Sequence, residues 1–330
     1  MKNCSLVTGG AGFMGSHVTS YLLQKGHQVI VLDDLSGGKL ENIPKNAIFH
    51  QGSICDTTLV NKLFEEYQFD YVYHLAAYAA EGLSHFIRHF NYQNNLIGSI
   101  NLINAAVKHE IKCFVFTSSI AVYGTNELPL TETQHPQPED PYGIAKYAVE
   151  LDLKNAHELF GLNYVIFRPH NVYGALQHIG DKYRNVIGIF MNQLLQNQPL
   201  TIFGDGKQTR AFSYIDDIAP YIANVVHTPE AYQQIFNIGS DKAHSVNELA
   251  TAVGQAMNIT PTINYLKQRE EVIHAYSSHE KFKKTFNPKP TISLTEGLAK
   301  MAAWAKKHGP QTNTKFSNIE ITKNLPPSWQ

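Results

Sequence analysis

Gly9-Gly10-Ala11-Gly12-Phe13-Met14-Gly15 is the stretch of the sequence that decides the fold. It follows the short apolar run Cys4–Thr8 and leads into an apolar helical pattern over residues 16–23. This order predicts a strand, a glycine turn and a helix. The glycines allow a tight turn and let backbone N–H groups reach a pyrophosphate. Gly9, Gly12, Phe13, Met14 and Gly15 are therefore the first candidates for binding a dinucleotide at a helix N-terminus.

An acidic residue stands where the ribose of such a cofactor is bound. The next predicted strand, residues 28–32, ends in Asp33-Asp34, about 20 positions after the glycines. The Asp33 carboxylate would accept hydrogen bonds from the ribose hydroxyls and repel a 2′-phosphate, which favours NAD over NADP. The alternative is a solvated carboxylate at the end of a strand.

Strands and helices continue to alternate through the first half of the chain. We predict strands at 47–51, 71–75, 112–118 and 163–167, with helices at 57–67 and 94–109 between them. Repeated strand–helix units predict an α/β fold with a doubly wound parallel sheet and right-handed crossovers.

Small and hydroxyl-bearing residues follow two of the predicted strands. Ligands of such sheets bind beyond the carboxyl ends of the strands. Leu75-Ala76-Ala77 would let a flat cofactor lie against the backbone, and Thr117-Ser118-Ser119 offers hydroxyls to a substrate. Each hydroxyl could instead cap a helix or bond local backbone.

Tyr142 and Lys146 lie four residues apart in a predicted helix that Asp140-Pro141 opens and that runs to about residue 160. Residues at this spacing lie one turn apart on the same face. A lysine ammonium there would lower the pKa of the phenol from its usual value of ~10, so that the tyrosine can exchange a proton with an alcohol. A half-buried ring on a surface helix is the alternative.

The composition excludes several classes of protein. The 330 residues suit about two domains, and 43% hydrophobic and 17% charged residues suit a soluble chain with a sizeable core. A net charge of −1 sets up no attraction for nucleic acid or an anionic membrane, and no stretch approaches the ~18 apolar residues of a membrane span. The N-terminus leads directly into the glycine loop, which leaves no room for a signal peptide.

Cysteine and histidine usage adds two expectations. The three cysteines are widely spaced and form no Cys-x-x-Cys pair, so we expect reduced thiols in a cytoplasmic protein. The sixteen histidines are scattered, and we expect no metal site.

The regular alternation fades after residue 170. Helices are predicted at 186–196, 215–227, 245–257 and 293–308, with strands at 200–203 and 235–238. We therefore expect a cofactor-binding domain over residues 1–170, to which some later segments return, and a smaller α/β substrate-binding domain over residues 171–308. Residues 309–330 form a tail ending in Leu325-Pro326-Pro327-Ser328-Trp329-Gln330, which either docks on the body or on another subunit, or frays.

In this order the motifs, together with Arg168-x-x-Asn171-Val172-Tyr173-Gly174, resemble the extended short-chain dehydrogenase/reductases. Among these they resemble the UDP-glucose 4-epimerase-like nucleotide-sugar enzymes. The resemblance implies a Rossmann fold in which NAD stays bound and is recycled. It also implies that Tyr142 takes the proton of the sugar C4 hydroxyl, that a 4-keto sugar forms, and that the hydride returns to its other face.

The resemblance also implies roles for other residues. Lys146 would bond the nicotinamide ribose, and Ser119 would bond the C4 oxygen with Ser118 beside it. The UDP phosphates would be held by Asn171, Arg210 and Arg269. A homodimer would form through the helices at 94–109 and 142–160, and Leu96, Ile100, Ile103, Ala148 and Leu151 are candidates for its interface.

The sequence departs from the family pattern at three places. The 4,6-dehydratases carry an Asp-Glu pair where this chain has Ile120-Ala121, which disfavours dehydration. The usual adenine-binding Asp-Ile/Leu is Ser53-Ile54, so that contact is weakened or supplied by Asp56. The usual ribose-binding Asp is replaced by Glu270-Glu271, of which Glu271 could substitute for it.

The predicted substrate loop is Tyr78-Ala79-Ala80-Glu81-Gly82-Leu83-Ser84, and both Tyr78 and Glu81 would stand beside the sugar. Glu81 would bond a sugar hydroxyl or act as an extra acid–base group, unless it pairs with Arg88 or a histidine. Ala275 falls near a position where some epimerases place a tyrosine that excludes N-acetyl groups.

The leading interpretation is an NAD-dependent UDP-glucose/UDP-galactose 4-epimerase. The alternatives are a UDP-N-acetylhexosamine or UDP-uronate 4-epimerase, a dehydratase that uses Glu81, or a non-catalytic nucleotide-sensing protein.

Overall fold

The computed structural model describes residues 2–268 and 271–329. The strands, in chain order, are β1 (Cys4–Thr8), β2 (Gln28–Asp33), β3 (Ile48–Gln51), β4 (Tyr71–His74), β5 (Cys113–Thr117), β6 (Tyr164–Pro169), β7 (Val172–Tyr173), β8 (Leu200–Phe203), β9 (Thr209–Ala211), β10 (Ser213–Tyr214), β11 (Gln234–Ile238), β12 (Ala243–Ser245), β13 (Ile263–Leu266) and β14 (His274–Ala275). The α-helices are α1 (Phe13–Gln24), α2 (Thr57–Tyr67), α3 (Glu81–Ser84), α4 (Arg88–Tyr92), α5 (Gly98–Lys108), α6 (Pro141–Phe160), α7 (Val186–Leu195), α8 (Ala219–Asn224), α9 (Val246–Met257), α10 (Glu280–Phe286) and α11 (Leu294–His308).

Seven strands form one parallel sheet in the order β11-β6-β5-β4-β1-β2-β3. The chain builds outward from β1 to β3 and then crosses back to β4 on the other side of β1. The strand order therefore reverses between β1 and β4, and in such sheets the crevice at this point receives the ligand. The predicted doubly wound parallel sheet is confirmed.

The sheet is buried on both faces because successive strand residues face different cores. Leu6 of β1 and Phe114 of β5 pack into one hydrophobic cluster, whereas Val7 and Val115 pack into the other. All five residues of each of these strands are buried. Alternate side chains at a period of two thus bring helices to both faces.

Two predicted helices differ from the observed ones. The helix predicted at 94–109 begins earlier, because α4 continues through a π-helical turn at Gln93–Ile97 into α5. The helix predicted at 215–227 is shorter, since 3₁₀ turns at Ile215–Asp217 and Val225–His227 flank α8. Apolar periodicity does not register such local changes of helix type.

The second half of the chain adds small sheets and helices beside the large sheet. The small sheets have the orders β10-β7, β12-β9-β14 and β13-β8. Strand β11 returns to the edge of the large sheet, where it pairs with β6. Helices α7, α9 and α11 pack against one another. The domain bounds at residues 170 and 308 stay predictions.

The C-terminal segment, residues 309–329, docks on the body of the protein. Trp329 is buried against Tyr183, with ring centres 5.5 Å apart. Phe316 packs on Tyr78 and Phe90 at 5.2 and 4.9 Å. Of the outcomes expected for the tail, docking on the body is the one observed.

Within the described ranges, no helix is long and apolar enough to cross a membrane.

Candidate functional site

A cavity opens where the strand order reverses, at the carboxyl ends of β1, β2, β4 and β5. Every residue predicted to bind the dinucleotide lines it: Gly9, Gly12, Phe13, Met14, Gly15, Asp33, Ser53, Ile54, Leu75, Ala76, Ala77, Thr117, Tyr142 and Lys146. These residues come from six separate segments of the chain, which only the parallel sheet brings together.

The glycine loop is tightly packed on the strand beside it. Gly9 has a φ of +72°, and a Cβ added there would lie 2.7 Å from the backbone nitrogen of Ala76. A Cβ on Gly15 would lie 2.1 Å from the carbonyl oxygen of Gly9. Helix α1 begins directly after Gly12, and no side chain caps it. Its first N–H groups are therefore available to a phosphate at the positive end of the helix.

The Asp33 carboxylate ties this loop to the second strand. It accepts hydrogen bonds from the N–H groups of Ala11 and Leu35, at 3.0 and 2.8 Å. Burial raises the pKa of Asp33 above its ordinary value, although the two backbone donors act in the opposite direction. The carboxylate is nearly buried at the cavity wall, and the alternative of a solvated strand end does not hold.

Ser53 and Ile54, the residues predicted to contact adenine, line the cavity. Asp56 does not replace them, because its carboxylate caps helix α2 by accepting the N–H of Leu59 at 3.0 Å. The sequence alternative that gave the adenine contact to Asp56 is therefore not supported.

A buried hydroxyl in the cavity wall also supports the binding of a dinucleotide. The hydroxyl of Thr117 is buried at the cavity wall and has no hydrogen-bond partner among the described residues. Buried hydroxyls are nearly always paired, so this one calls for a ligand. Backbone N–H groups would hold the pyrophosphate, Asp33 the adenosine ribose, and Lys146 with Tyr142 the nicotinamide end.

Tyr142 and Lys146 lie together on α6, but the lysine bonds elsewhere. Its Nζ lies 5.8 Å from the centre of the Tyr142 ring and donates to the carbonyl oxygen of Thr117 at 2.8 Å. Burial lowers the pKa of Lys146 to about 7. The hydroxyl of Ser119 stands close enough to the phenol of Tyr142 to favour its ionised form.

The sequence predicted a lowered pKa for Tyr142, and the structure of the protein alone gives the opposite. Burial raises the pKa of the phenol above its ordinary value of 10, while the Ser119 hydroxyl and the charge of Arg184 act against that rise. The prediction included the lysine charge but not the cost of burying a phenolate.

Ser118 has a buried partner within the protein. Its hydroxyl donates to the Glu150 carboxylate on α6, which also receives Nε and a second nitrogen of Arg168. All three side chains are nearly buried. The Glu150–Arg168 pair joins the end of β6 to α6 and so fixes the helix that carries Lys146. The contact predicted between Ser118 and the sugar stays a prediction.

A second, smaller cavity adjoins the first, and Glu81, Ser119 and Asn171 line both. Two predicted phosphate ligands lie here. Asn171 donates from Nδ2 to the carbonyl of Ala211 at 3.1 Å, and Arg210 lines the wall.

Arg210 also holds the chain that precedes β14. It donates to the carbonyl of Ile273 at 2.8 Å and to that of Val272, and it pairs with the Glu271 carboxylate at 3.8 Å. The predicted contacts of Arg210 with phosphate and of Glu271 with ribose would therefore require these groups to share their partners. Arg269, the other predicted phosphate ligand, lies outside the described residues.

Two carboxyl groups face the second cavity. Glu81 is exposed at the start of α3, and Asp140 is buried at the N-cap of α6. Burial raises the pKa of Asp140 to about 6. Tyr78, the other residue of the predicted substrate loop, lines the first cavity beside Glu81.

Sequence reasoning missed one side of the cavity. Residues 177, 178, 184 and 185 line it from the loop between β7 and α7. Arg184 is the most prominent of them, with its guanidinium 4.9 Å from the centre of the Tyr78 ring. No motif marks this loop, and only its fold over the cavity reveals the contact. Among the described residues, no group of three or more potential metal ligands is found.

Comparisons with known proteins agree with this geometry. Residues 5–239 match the model of the NAD dependent epimerase/dehydratase family. A putative UDP-glucose 4-epimerase of Methanocaldococcus jannaschii is 37% identical over 306 residues, which are 92% of this chain and 98% of that protein.

Two solved structures share the fold. The UDP-glucose 4-epimerase of Thermotoga maritima with UDP-glucose has a TM-score of 0.87 at 34% identity, covering 92% of this chain and 99% of that one. The UDP-N-acetylglucosamine 4-epimerase of Methanobrevibacter ruminantium, in complex with UDP-N-acetylmuramic acid, has a TM-score of 0.86 at 31% identity. The match covers 93% of this chain and 99% of the Methanobrevibacter chain.

Proposed function

The chain belongs to the NAD-dependent epimerase/dehydratase family, and we propose that it interconverts UDP-glucose and UDP-galactose at C4. The resemblance to the extended short-chain dehydrogenase/reductases is thereby confirmed, and the protein is an NAD-dependent nucleotide-sugar epimerase. The observation that carries the proposal is the position of Tyr142 and Ser119. Both line the cofactor cavity, and Ser119 also lines the adjoining second cavity.

NAD, when bound, supplies the acceptor and donor of the C4 hydride. The residues of the chain move the proton. Tyr142 would take the C4 hydroxyl proton and return it, and Ser119 would bond the C4 oxygen and stabilise the phenolate. Lys146 is buried beside them and would hold the nicotinamide ribose while its charge offsets the effect of burial on Tyr142.

The residues around the second cavity support epimerisation over dehydration. Elimination of water across C5 and C6 needs an acid and a base on the sugar, and Ile120 and Ala121 line this cavity with side chains that can do neither. Among the described residues of this cavity, the carboxylates that could act as such a base are Glu81 and Asp140, and Asp140 already caps α6. A non-catalytic nucleotide sensor is disfavoured, since Tyr142, Lys146 and Ser119 remain together.

Charge in the second cavity supports a neutral sugar. Glu81 and Asp140 would face a uronate carboxylate with like charge, which costs binding energy in a partly buried site, and the arginine in the same wall, Arg210, is paired with Glu271. We therefore place UDP-glucuronate behind UDP-glucose as a substrate.

A second candidate substrate class is the UDP-N-acetylhexosamines. Ala275 lines the second cavity and is nearly buried, and its methyl group leaves room where a larger side chain would obstruct an N-acetyl group. One of the solved structures is named for this sugar class.

Incubation of the protein with UDP-glucose, without added cofactor, tests the proposal. We expect UDP-galactose, an isobaric product, until the two sugars reach equilibrium. A product ~18 Da lighter would instead indicate dehydration. If the protein converts UDP-N-acetylglucosamine rapidly but does not convert UDP-glucose, its substrates belong to the second class.

The proposal includes a homodimer in the cytoplasm. Ile144 and Leu151 are exposed on one face of α6, and Ile97 is exposed on the adjoining π-helical turn. Of the five predicted interface residues, Leu151 is exposed, whereas Ile103 belongs to the core of the subunit. All three cysteines are free, which suits a reducing compartment.

A further inference from the structure

Arg184 lines the cofactor cavity from the loop between β7 and α7. It is close to Gly37, in the turn that follows Asp33: a Cβ added to Gly37 would lie 3.1 Å from a terminal nitrogen of the guanidinium. The next residue, Gly38, packs so closely that a Cβ there would lie 2.7 Å from the backbone of Ala11. The guanidinium therefore stands beside a turn that is in contact with the glycine loop.

Two partners fix the orientation of this side chain. The Nε of Arg184 donates to the Asp181 carboxylate at 2.7 Å, and the guanidinium lies over the ring of Tyr78. In the described part of the chain, its two terminal nitrogens donate to no acceptor. An arginine held at Nε and over a ring presents the remaining edge of its fork to a ligand, in the geometry that suits a phosphate.

A diphosphate bound in the cavity needs a positively charged side chain beside it. A diphosphate carries two negative charges, and the glycine loop offers it only N–H groups and a helix end. Among the described residues that line the cofactor cavity, Lys146 and Arg184 are the only lysine and arginine. Lys146 is bonded to the carbonyl of Thr117 at the nicotinamide end.

We propose that Arg184 binds the diphosphate of NAD from the loop between β7 and α7 and thereby retains the cofactor in the cavity. The proposal rests on the cofactor and not on the identity of the sugar. The diphosphate of the substrate is the other source of the same chemistry. It is the less favoured one because Arg184 lines only the cofactor cavity, whereas Arg210 lines the second.

The C-terminal segment supports this placement. Tyr183, the neighbour of Arg184, packs against Trp329, and its hydroxyl accepts the N–H of Phe316 at 3.2 Å. Phe316 also contacts Tyr78, on which the guanidinium rests. The segment thus braces both the backbone that carries Arg184 and the ring beneath it.

The test measures how fast NAD leaves the intact holoenzyme, with released NAD consumed by an excess of a second enzyme. For Arg184→Gln we expect release to be roughly 10- to 100-fold faster, as for the loss of a charged hydrogen bond. Arg184→Lys keeps the charge but not the planar fork, so we expect it to restore part of the loss. Arg88→Gln removes an exposed arginine outside the cavity and should release NAD at the wild-type rate.

A parallel measurement of UDP affinity for the same holoenzymes separates the two diphosphates. We expect UDP affinity to be unchanged in Arg184→Gln. An unchanged rate of NAD release overturns the proposal. A loss of affinity for UDP alone also overturns it, because it would show that Arg184 binds the diphosphate of the substrate. Equal losses of both ligands also overturn it, because they indicate a collapsed loop. If Arg184→Gln does not fold, the rate of NAD release and the affinity for UDP are compared between Arg184→Lys and the wild type.

Discussion

Lys146 lies one helical turn from Tyr142, yet its ammonium donates to the carbonyl oxygen of Thr117 and not to the phenol. The ammonium is therefore tied to the carboxyl end of β5. Burial affects the two groups in opposite directions, since it lowers the pKa of the lysine and raises that of the tyrosine. Burial thus favours the neutral form of each group.

Replacing Tyr142 with phenylalanine should remove the group that exchanges a proton with the sugar. We expect kcat for UDP-glucose to fall by about 10²- to 10⁴-fold, the usual contribution of a general acid–base group. The NAD content of the purified protein should stay at the wild-type level, because the ring still lines the cavity. Turnover within tenfold of wild type would show that another group carries the proton.

The pKa of Lys146 predicts a pH-dependent stability for the protein prepared without its cofactor. The folded pKa is about 7 and the unfolded value is near 10.5, so the unfolded chain binds one more proton between these values. The free energy of unfolding should therefore rise with pH across this window, by up to about 1.4 kcal/mol per pH unit from this group. Below pH 7 the penalty for burying the charge is fully present.

Lys146→Met removes this titration. Urea unfolding of the NAD-free protein at pH 7, 8 and 9 should give a shallower rise for the variant than for the wild type. The difference between the two slopes isolates Lys146 from the tyrosines, whose raised pKa values matter only above pH 10. Parallel slopes would show that the lysine keeps an ordinary pKa.

Glu81→Gln should change which sugars the enzyme accepts. Removal of this carboxylate from the second cavity should raise kcat/KM for UDP-glucuronate relative to UDP-glucose, by roughly tenfold for one like-charge contact. The kcat for UDP-glucose should change little. A fall in that kcat comparable to that of Tyr142→Phe would instead assign proton transfer to Glu81. Glu127→Gln, at an exposed site outside both cavities, is the control.

Leu151→Arg should weaken the proposed dimer. Leu151 is exposed at mid-helix on α6, and a charge there would have to be buried in the interface. We expect a shift toward monomer in sedimentation velocity at micromolar concentration. Leu40→Arg, at another exposed leucine, should leave the oligomeric state of the protein as it is. A wild-type protein that is monomeric at these concentrations would refute the dimer.

The parallel sheet and the cofactor cavity could be predicted from the sequence because their determinants are local. A few neighbouring residues are enough to predict the strand preceding Gly9, the role of the Asp33 carboxylate and the helix carrying Tyr142. Arg184 could not be found in this way. Its role depends on a loop that folds over the cavity and on contacts with residues more than a hundred positions distant, such as Tyr78.

The pKa of Tyr142 was mispredicted for a related reason. The spacing of Tyr142 and Lys146 gives their proximity, but the depth at which α6 is buried depends on the whole fold. The partner of Ser118 was missed as well, because the Glu150–Arg168 pair joins α6 to a strand eighteen residues further on.

The docking of residues 309–329 has a consequence for how the protein is made. The glycine loop, Asp33 and the Tyr142 helix lie in the first half of the chain and emerge early from the ribosome. The wall of the cavity around Tyr78 and Arg184 receives its support only after Phe316 and Trp329 have been synthesised. A nascent chain that already holds its sheet would therefore gain a braced site only after residues 309–329 have left the ribosome.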